Sequence, residues 1–178
     1  MKIIKNPTRP AHIYADDTAY FITASTYHHQ KLLDDAAKTQ LVQLLQDVYA
    51  EYSWQLAHWV VLDNHYHLLC TSKRGMDLKR IMNKVHNLSS QFIKAKQKIS
   101  GSVWKNYWDY CPRNERDYKS HLCYLLNNPY KHGYVENLHD WEWSSFHYYH
   151  AKQGREYIKE QFLEFSDYQG LVLQGGTA

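Results

Sequence analysis

Trp54-Gln55-Leu56-Ala57-His58-Trp59-Val60-Val61-Leu62-Asp63-Asn64-His65-Tyr66-His67-Leu68-Leu69-Cys70-Thr71 reads as two strands folded back on each other. The first nine residues are rich in aromatic and branched side chains, and Asp63-Asn64 is a turn dipeptide because both residues tolerate positive φ. His65 to Thr71 is then the return strand of a hairpin. Side chains alternate faces along a strand, so His65 and His67 point to one side and two imidazoles can share one metal. Register matters here, since a one-residue slip would exchange the faces of the histidines and leucines.

Outward from the hairpin, Ala19 to Ser25 is a β-rich run that makes a first strand, and Tyr27 to Leu33 is a polar loop. Asp34 or Asp35 can cap a helix that carries Leu41, Leu44, Leu45 and Val48 at helical spacing and runs to about Tyr52. Downstream, Asp77 opens a second helix with Leu78, Ile81, Met82, Val85 and Phe92 along one side, broken by Ser100-Gly101-Ser102. Val103 to Tyr110 is aromatic and extended, closed by Pro112. A third helix is expected from Glu115 to Asn128, terminated by Pro129 and then Gly133. Trp141, Trp143 and the aromatic cluster Phe146 to Tyr149 follow, then a helix near Arg155 to Phe165 and a loose tail at Gly175-Gly176. Residues 1–18 hold Pro7 and Pro10 and no periodic pattern, which predicts an irregular lead-in.

That order of elements predicts an α+β fold: a ferredoxin-like antiparallel sheet with helices packed mainly on one face, plus a C-terminal helical extension. The 178 residues suit a single domain, 1–178, with a core of about 19–150 and an extension over 151–178. A composition 44% hydrophobic and 22% charged excludes a disordered chain. No stretch approaches the ~20 apolar residues of a membrane span, and Met1 to Pro7 has no signal-peptide core, so no membrane partner is expected. Three cysteines without paired spacing argue against a disulfide framework or a structural zinc knuckle and for a cytoplasmic location.

The net charge of +3 is modest, but Lys73, Arg74, Lys79, Arg80, Lys84, Lys94, Lys96 and Lys98 face a single acid, Asp77, between residues 73 and 98. Such a patch can attract a polyanion, and equally can be a solvated helix face. The His-x-His pattern is weak by itself: 12 histidines in 178 residues give roughly 0.75 such pairs by chance. The third helix adds to it. At ~100° per residue, His121, Tyr124 and Asn128 lie within about 60° of one another, and Tyr118, Leu122, Leu125 and Leu126 form the core-facing side. The polar stripe is therefore expected to face away from the packing side, toward solvent or a cleft, with Tyr124 and Asn128 one turn apart and able to reach one shared site.

Asn64-His65-Tyr66-His67-Leu68-Leu69, Gly101 with Val103-Trp104-Lys105 and Tyr107-Trp108, Arg113, Tyr124-Leu125-Leu126-Asn127-Asn128-Pro129-Tyr130-Lys131-His132-Gly133, Asp140-Trp141 and Trp143-Ser144-Ser145 occur in one order. This ordered set, over about residues 19–150, resembles the single-tyrosine transposases of the HUH nuclease superfamily, in particular the branch associated with repetitive extragenic palindromes. The resemblance implies a metal held by His65, His67 and the amide of Asn128, with Tyr124 as nucleophile. Two imidazoles alone would also accept zinc; the resemblance selects Mg2+ or Mn2+. It further implies single-strand DNA cleavage near a hairpin through a 5′-phosphotyrosine link, followed by strand transfer. Lys73, Arg74, Lys79, Arg80, Lys84, Lys105, Arg113 and His121 are candidate phosphate contacts and Trp104 a candidate base-stacking residue. Two positions depart from the family pattern: Asp63 stands where proline usually precedes Asn-His, and Glu142 where proline often separates the two tryptophans. Related transposases include dimers that exchange the tyrosine helix as well as monomers, so a homodimer stays open. The competing functions are a hairpin DNA-binding protein that no longer cleaves and an RNA-binding α+β domain.

Overall fold

The computed structural model describes residues 2–6 and 9–165, with side chains from residue 12 onward. In chain order the elements are β1 (Lys2–Asn6), β2 (Arg9–Tyr14), β3 (Ala19–Ser25), α1 (Asp35–Glu51), β4 (Gln55–Val61), β5 (His65–Thr71), α2 (Leu78–Gln97), β6 (Trp108–Tyr110), α3 (Glu115–Lys131), α4 (Phe146–Gln153) and α5 (Arg155–Glu164). The expected hairpin forms, with Val61 opposite Tyr66 and Val60 opposite His67. Leu62 N–H donates to the His65 carbonyl at 2.8 Å and closes the Asp63-Asn64 turn. The Asp34 side chain caps α1 by accepting from Ala37 N–H at 2.9 Å, which satisfies one of the donors orphaned at a helix start.

Four strands make one antiparallel sheet in the order β4-β5-β3-β6. The strands joined by α1 are separated by β5, and those joined by α2 are separated by β3, which is the interleaved β-α-β pair of a ferredoxin-like α+β fold. The helices, however, cover both faces of the sheet rather than mainly one. Tyr20, Ile22, Ala24, Trp59, Val61, Tyr66, Leu68 and Cys70 pack with α1 and α2 on one side. Phe21, Val60, Leu62 and Leu69 pack with α3, α4 and α5 on the other. The reason lies in the strands: both alternating faces of β3 and β5 carry large apolar residues, so each needs a cover. The expected C-terminal helical extension supplies part of the second one.

Other local expectations are corrected. The lead-in forms the hairpin β1–β2. It is tied to the sheet by the buried Asp109 carboxylate, which accepts from Ile13 N–H at 3.0 Å and meets His12 Nδ1 at 2.5 Å, and Ile13 and Tyr14 pack against the core; contacts made so far along the chain leave no local period to read. Within Val103–Tyr110 only Trp108–Tyr110 is a strand, Trp104 making an isolated bridge to Thr26. α3 continues through Pro129 to Lys131, because a proline near a helix end removes a single donor and the chain can complete its turn. The aromatic cluster from Phe146 is the start of a helix, α4. The tail at Gly175-Gly176 lies outside the described residues. Among the described residues no helix is long and apolar enough to cross a membrane.

Candidate active site

Because β5 pairs with β3 so that Thr23 faces His67 and Ser25 faces His65, both histidines project to the side covered by α3. His65 Nδ1 lies 2.6 Å from Asn64 Oδ1. The Asn64 amide is oriented by its own N–H, which donates to the His29 carbonyl at 3.1 Å, so Nδ1 of His65 carries the ring proton and Nε2 presents a lone pair. His67 Nδ1 is 2.8 Å from Thr23 Oγ1, and its Nε2 is buried with no hydrogen-bond partner. Burial, reinforced by the neighbouring His132, pushes His65 down to about 4. Burial and the adjacent His65 hold His67 well below its ordinary value. Both rings are neutral at pH 7, the form that ligates metal.

α3 begins at an Asn114 cap that accepts from Asp117 N–H at 2.9 Å. Leu122, Cys123, Leu125 and Leu126 pack into the apolar cluster that also contains Trp141, Phe146, Tyr149, Ile158 and Phe165. The polar stripe does not face away from the core. His121 sits edge-on to Phe21 at 4.8 Å and stacks on Tyr110 at 4.9 Å, and its Nδ1–H donates to the Asp117 carbonyl at 2.7 Å. It is 3% exposed, a buried histidine rather than a surface one. Tyr124 packs edge-on to His67 at 5.2 Å, and Asn128 Oδ1 lies 3.2 Å from His65 Nε2. With α5 covering the other side of α3 through contacts such as Cys123 to the Gln161 carbonyl, both faces of the helix are buried. One helix therefore serves as core and as site.

His65, His67, Asn128 and Tyr124 thus meet within one chain. Among the described residues no three His, Cys, Asp or Glu side chains are gathered to hold a metal; beside the two imidazoles stands the amide oxygen of Asn128. The fit to a cation rests on the ring nitrogens: His65 Nε2 faces an oxygen rather than a donor, while the buried His67 Nε2 has no hydrogen-bond partner. Burial raises the Tyr124 phenol, with the Asn128 side chain offsetting part of the rise. Four residues beside the site escape the sequence reading. Thr23 and Asn64 orient the two rings, His132 sits 5.3 Å from His65, and Lys131 Nζ lies 4.8 Å above the Tyr124 ring. Lys131 had a signal: seven residues after Tyr124, it is two helical turns along the same side.

The other candidates lie elsewhere. Lys73 pairs with Asp17 at 3.3 Å, Arg74 with Asp77 at 2.8 Å, Arg80 with Asp77 at 3.6 Å and Lys84 with Glu51 at 2.6 Å. With the exposed Lys79 they belong to α2 or the loop before it, in the layer across the sheet. Trp104 stacks on His86 of α2 at 4.8 Å and donates to Ser89 Oγ at 2.9 Å. Lys105 is exposed. Arg113 binds Asp117 at 3.1 Å at the head of α3.

A histidine pair on an inner strand of a ferredoxin-like sheet, His67 buried and His65 half-buried, met by a tyrosine and an amide from one helix, places the chain among candidate metal-assisted tyrosine enzymes. Residues 15–113 match the family described as Transposase IS200 like. A REP-associated tyrosine transposase of Escherichia coli (strain K12) is 26% identical over 140 residues, covering 75% of this chain and 79% of that protein. A protein of Haemophilus influenzae (strain ATCC 51907 / DSM 11121 / KW20 / Rd), provisionally given the same description, is 30% identical over 145 residues, covering 71% of this chain and 82% of that one. A solved structure, that of a REP-associated tyrosine transposase bound to a REP hairpin, matches with a TM-score of 0.65 at 24% identity, covering 81% of this chain and 84% of the other. The chain belongs to the IS200-like transposase family and is, as such, a DNA transposase. The matched span includes His65 and His67 and ends before α3.

Proposed function

We propose that this transposase is a metal-dependent single-strand DNA endonuclease and strand transferase that acts beside a DNA hairpin. One observation carries the reading: residues 65, 67, 124 and 128, distant in sequence, converge on one buried point with unpaired acceptor atoms. The hairpin substrate is inferred from the related structure bound to a REP hairpin. His65, His67 and Asn128 would hold Mg2+ or Mn2+, which when bound polarises the scissile phosphate and offsets its developing charge. Thr23 and Asn64 hold the two rings at their Nδ1 atoms, which leaves both Nε2 atoms for the metal. Tyr124 supplies the nucleophile. Its oxygen forms a bond to phosphorus while the bond from phosphorus to the 3′ oxygen breaks, and the leaving oxygen takes up a proton as a free 3′-hydroxyl. The product is a 5′-phosphotyrosine ester, an exchange of one ester for another that needs no external energy source. Attack by a second 3′-hydroxyl reverses the exchange and joins strands. Arg113, at the head of α3, and Lys131, over the Tyr124 ring, would help neutralise the incoming strand. The α2 lysines and arginines, across the sheet, contribute to general affinity for the polyanion.

Incubation with a hairpin-bearing single-stranded oligonucleotide and Mn2+ should give a covalent adduct that survives denaturation. Tyr124→Phe should bind the hairpin and form no adduct; an adduct from that variant would sink the nucleophile assignment. Equal binding of RNA and DNA hairpins with no adduct from the wild type would favour an RNA-binding role.

A further inference from the structure

The turn that presents the histidine pair is held by a buried lysine. Lys38, on the first turn of α1, is 4% exposed. Its Nζ donates to Asp63 Oδ1 at 3.0 Å and reaches Asp35 Oδ1 at 3.1 Å. The same ammonium lies 4.7 Å above the ring of Trp141 and 4.1 Å above that of Trp143. A charge so deeply buried is costly unless every side of it is answered, and here two carboxylates and two aromatic faces answer it.

Each partner belongs to a different part of the site's frame. Asp63 immediately precedes Asn64 and His65, and its carbonyl accepts from Leu33 N–H at 2.9 Å. Trp141 and Trp143 lie in the segment after α3 that runs beside β4. Trp141 Nε1 donates to the Val61 carbonyl at 3.1 Å, Val61 N–H to the Trp143 carbonyl at 2.9 Å, and Ser145 N–H to the Trp59 carbonyl at 2.9 Å. Trp143 Nε1 also donates to Thr39 Oγ1 on α1 at 3.0 Å. Burial and the neighbouring Asp63 carboxylate raise the phenol of Tyr134, whose N–H donates to the Pro129 carbonyl at 2.9 Å in the last turn of α3. The Lys38–Asp63 pair is therefore where α1, the turn before His65 and the segment leaving α3 are joined. Of the two positions that depart from the family pattern, Asp63 is the one this pair explains: its carboxylate is held by Lys38.

We propose that Lys38 is a positioning residue for the transposase site: its ion pair with Asp63, boxed by Trp141 and Trp143, sets the distance between the His65–His67 strand and α3. The proposal rests on the reading of His65, His67, Asn128 and Tyr124 as the reacting site.

The test compares Lys38→Met, which keeps the stem and removes the charge, with Lys38→Arg, which keeps the charge, and with Val48→Ala, a cavity in the same helix that touches none of these groups. Three quantities are read on the full chain: the single-turnover rate of adduct formation with Mn2+, the affinity for the hairpin oligonucleotide, and the 1H–15N imidazole spectrum without metal or DNA. Lys38→Met should slow the adduct step by roughly 10²-fold, the scale of an ångström-sized misplacement, with hairpin affinity kept within about twofold. The His65 and His67 signals should shift. Lys38→Arg should recover most of the rate, and Val48→Ala should lose thermal stability while keeping it. Equal rates for Lys38→Met and Val48→Ala overturn the proposal. If Lys38→Met does not fold, Asp63→Asn weakens the same pair without leaving an unpaired carboxylate, and the same outcomes apply. Absence of an adduct from the wild type would count against the reacting-site reading alone. The imidazole spectra still decide on Lys38 in that case, and signals unmoved in Lys38→Met overturn its positioning role.

Discussion

His65 Nε2 and Asn128 Oδ1 face each other at 3.2 Å with a lone pair on each, because the single ring proton of His65 is committed to Asn64. Burial keeps His65 neutral, at about 4, so no second proton bridges the gap at pH 7. Two acceptors in buried contact repel unless a cation joins them. Asn128→Leu removes one of the two facing acceptors while keeping the side-chain shape, and a buried polar group left without a donor costs about 1–3 kcal/mol. The metal-free melting temperature of Asn128→Leu should therefore hold or rise, and the increase produced by Mn2+ in the wild type should vanish. A lower metal-free melting temperature with an intact Mn2+ response would contradict this account.

Thr23 is predicted to matter through a ring it never shares with substrate. Its hydroxyl, 2.8 Å from His67 Nδ1, fixes the orientation of the ring whose Nε2 is buried without a partner. Thr23→Val keeps the branched shape that a strand favours and deletes only that oxygen. Outer partners of metal-bound histidines are typically worth 10–100-fold in affinity, so Mn2+ binding by Thr23→Val should weaken by roughly that factor. Titration of the variant against the wild type checks it, and unchanged Mn2+ affinity would show that His67 holds its orientation without Thr23.

The pH dependence of stability should carry the mark of His86. This ring stacks on Trp104 at 4.8 Å and accepts from the Tyr66 hydroxyl at 2.9 Å, and burial lowers it to about 3. The folded state holds it neutral while the unfolded chain protonates it below about 6.5. Stability is therefore full above pH 6.5 and falls as the pH drops from there toward 3, by on the order of 1 kcal/mol per pH unit. His86→Gln retains an acceptor for Tyr66 and cannot titrate. Denaturant unfolding between pH 7 and 4 should show a shallower decline for His86→Gln than for the wild type; parallel curves would mean that other groups set the slope.

The hairpin was legible because Asp63-Asn64 marks a turn between two β-rich runs, and the shared side of His65 and His67 follows from alternation along a single strand. Helical spacing put Tyr124 and Asn128 on one side of α3, and the family resemblance is what joined them to His65 and His67. What spacing could not show was the side of α3 that meets the sheet. His121, Tyr124 and Asn128 look like an exposed stripe until Phe21 and His67 are placed against them, and that follows only from a second apolar face on β3 and β5. The N-terminal hairpin was hidden for another reason. Asp109 ties it from ninety-seven residues away, at His12, and no local pattern announces a carboxylate at that distance. The basic run was legible as charge, but the acids that pair with it, Asp17, Asp34, Glu51 and Asp77, include three outside its own window.

Gly75 is the glycine whose replacement should cost most, and the cause is space. A Cβ there would lie 2.3 Å from the Ala15 nitrogen, 2.6 Å from its oxygen and 2.8 Å from its carbonyl carbon. All three are backbone atoms that no side-chain rotation can move. The approach is fixed from both sides: Gly75 N–H donates to Asp16 Oδ1 at 2.7 Å, and the Arg74 carbonyl accepts from Trp54 Nε1 at 3.2 Å. Relief would require the segment before β3 to leave Ser72, whose hydroxyl donates to the Ala15 carbonyl at 2.8 Å. Overpacking of this kind costs about 1–3 kcal/mol, which for a domain of this size is a fall of roughly 3–10 °C in melting temperature. The site under α3 lies across the sheet, so Gly75→Ala should form adduct at close to the wild-type rate at 20 °C, well below its transition. Thermal melts and single-turnover assays on the same preparation separate the two effects. An unchanged melting temperature would show that the Ala15 segment yields freely, and a lost rate would show that the turn before α2 is coupled to the histidine strand.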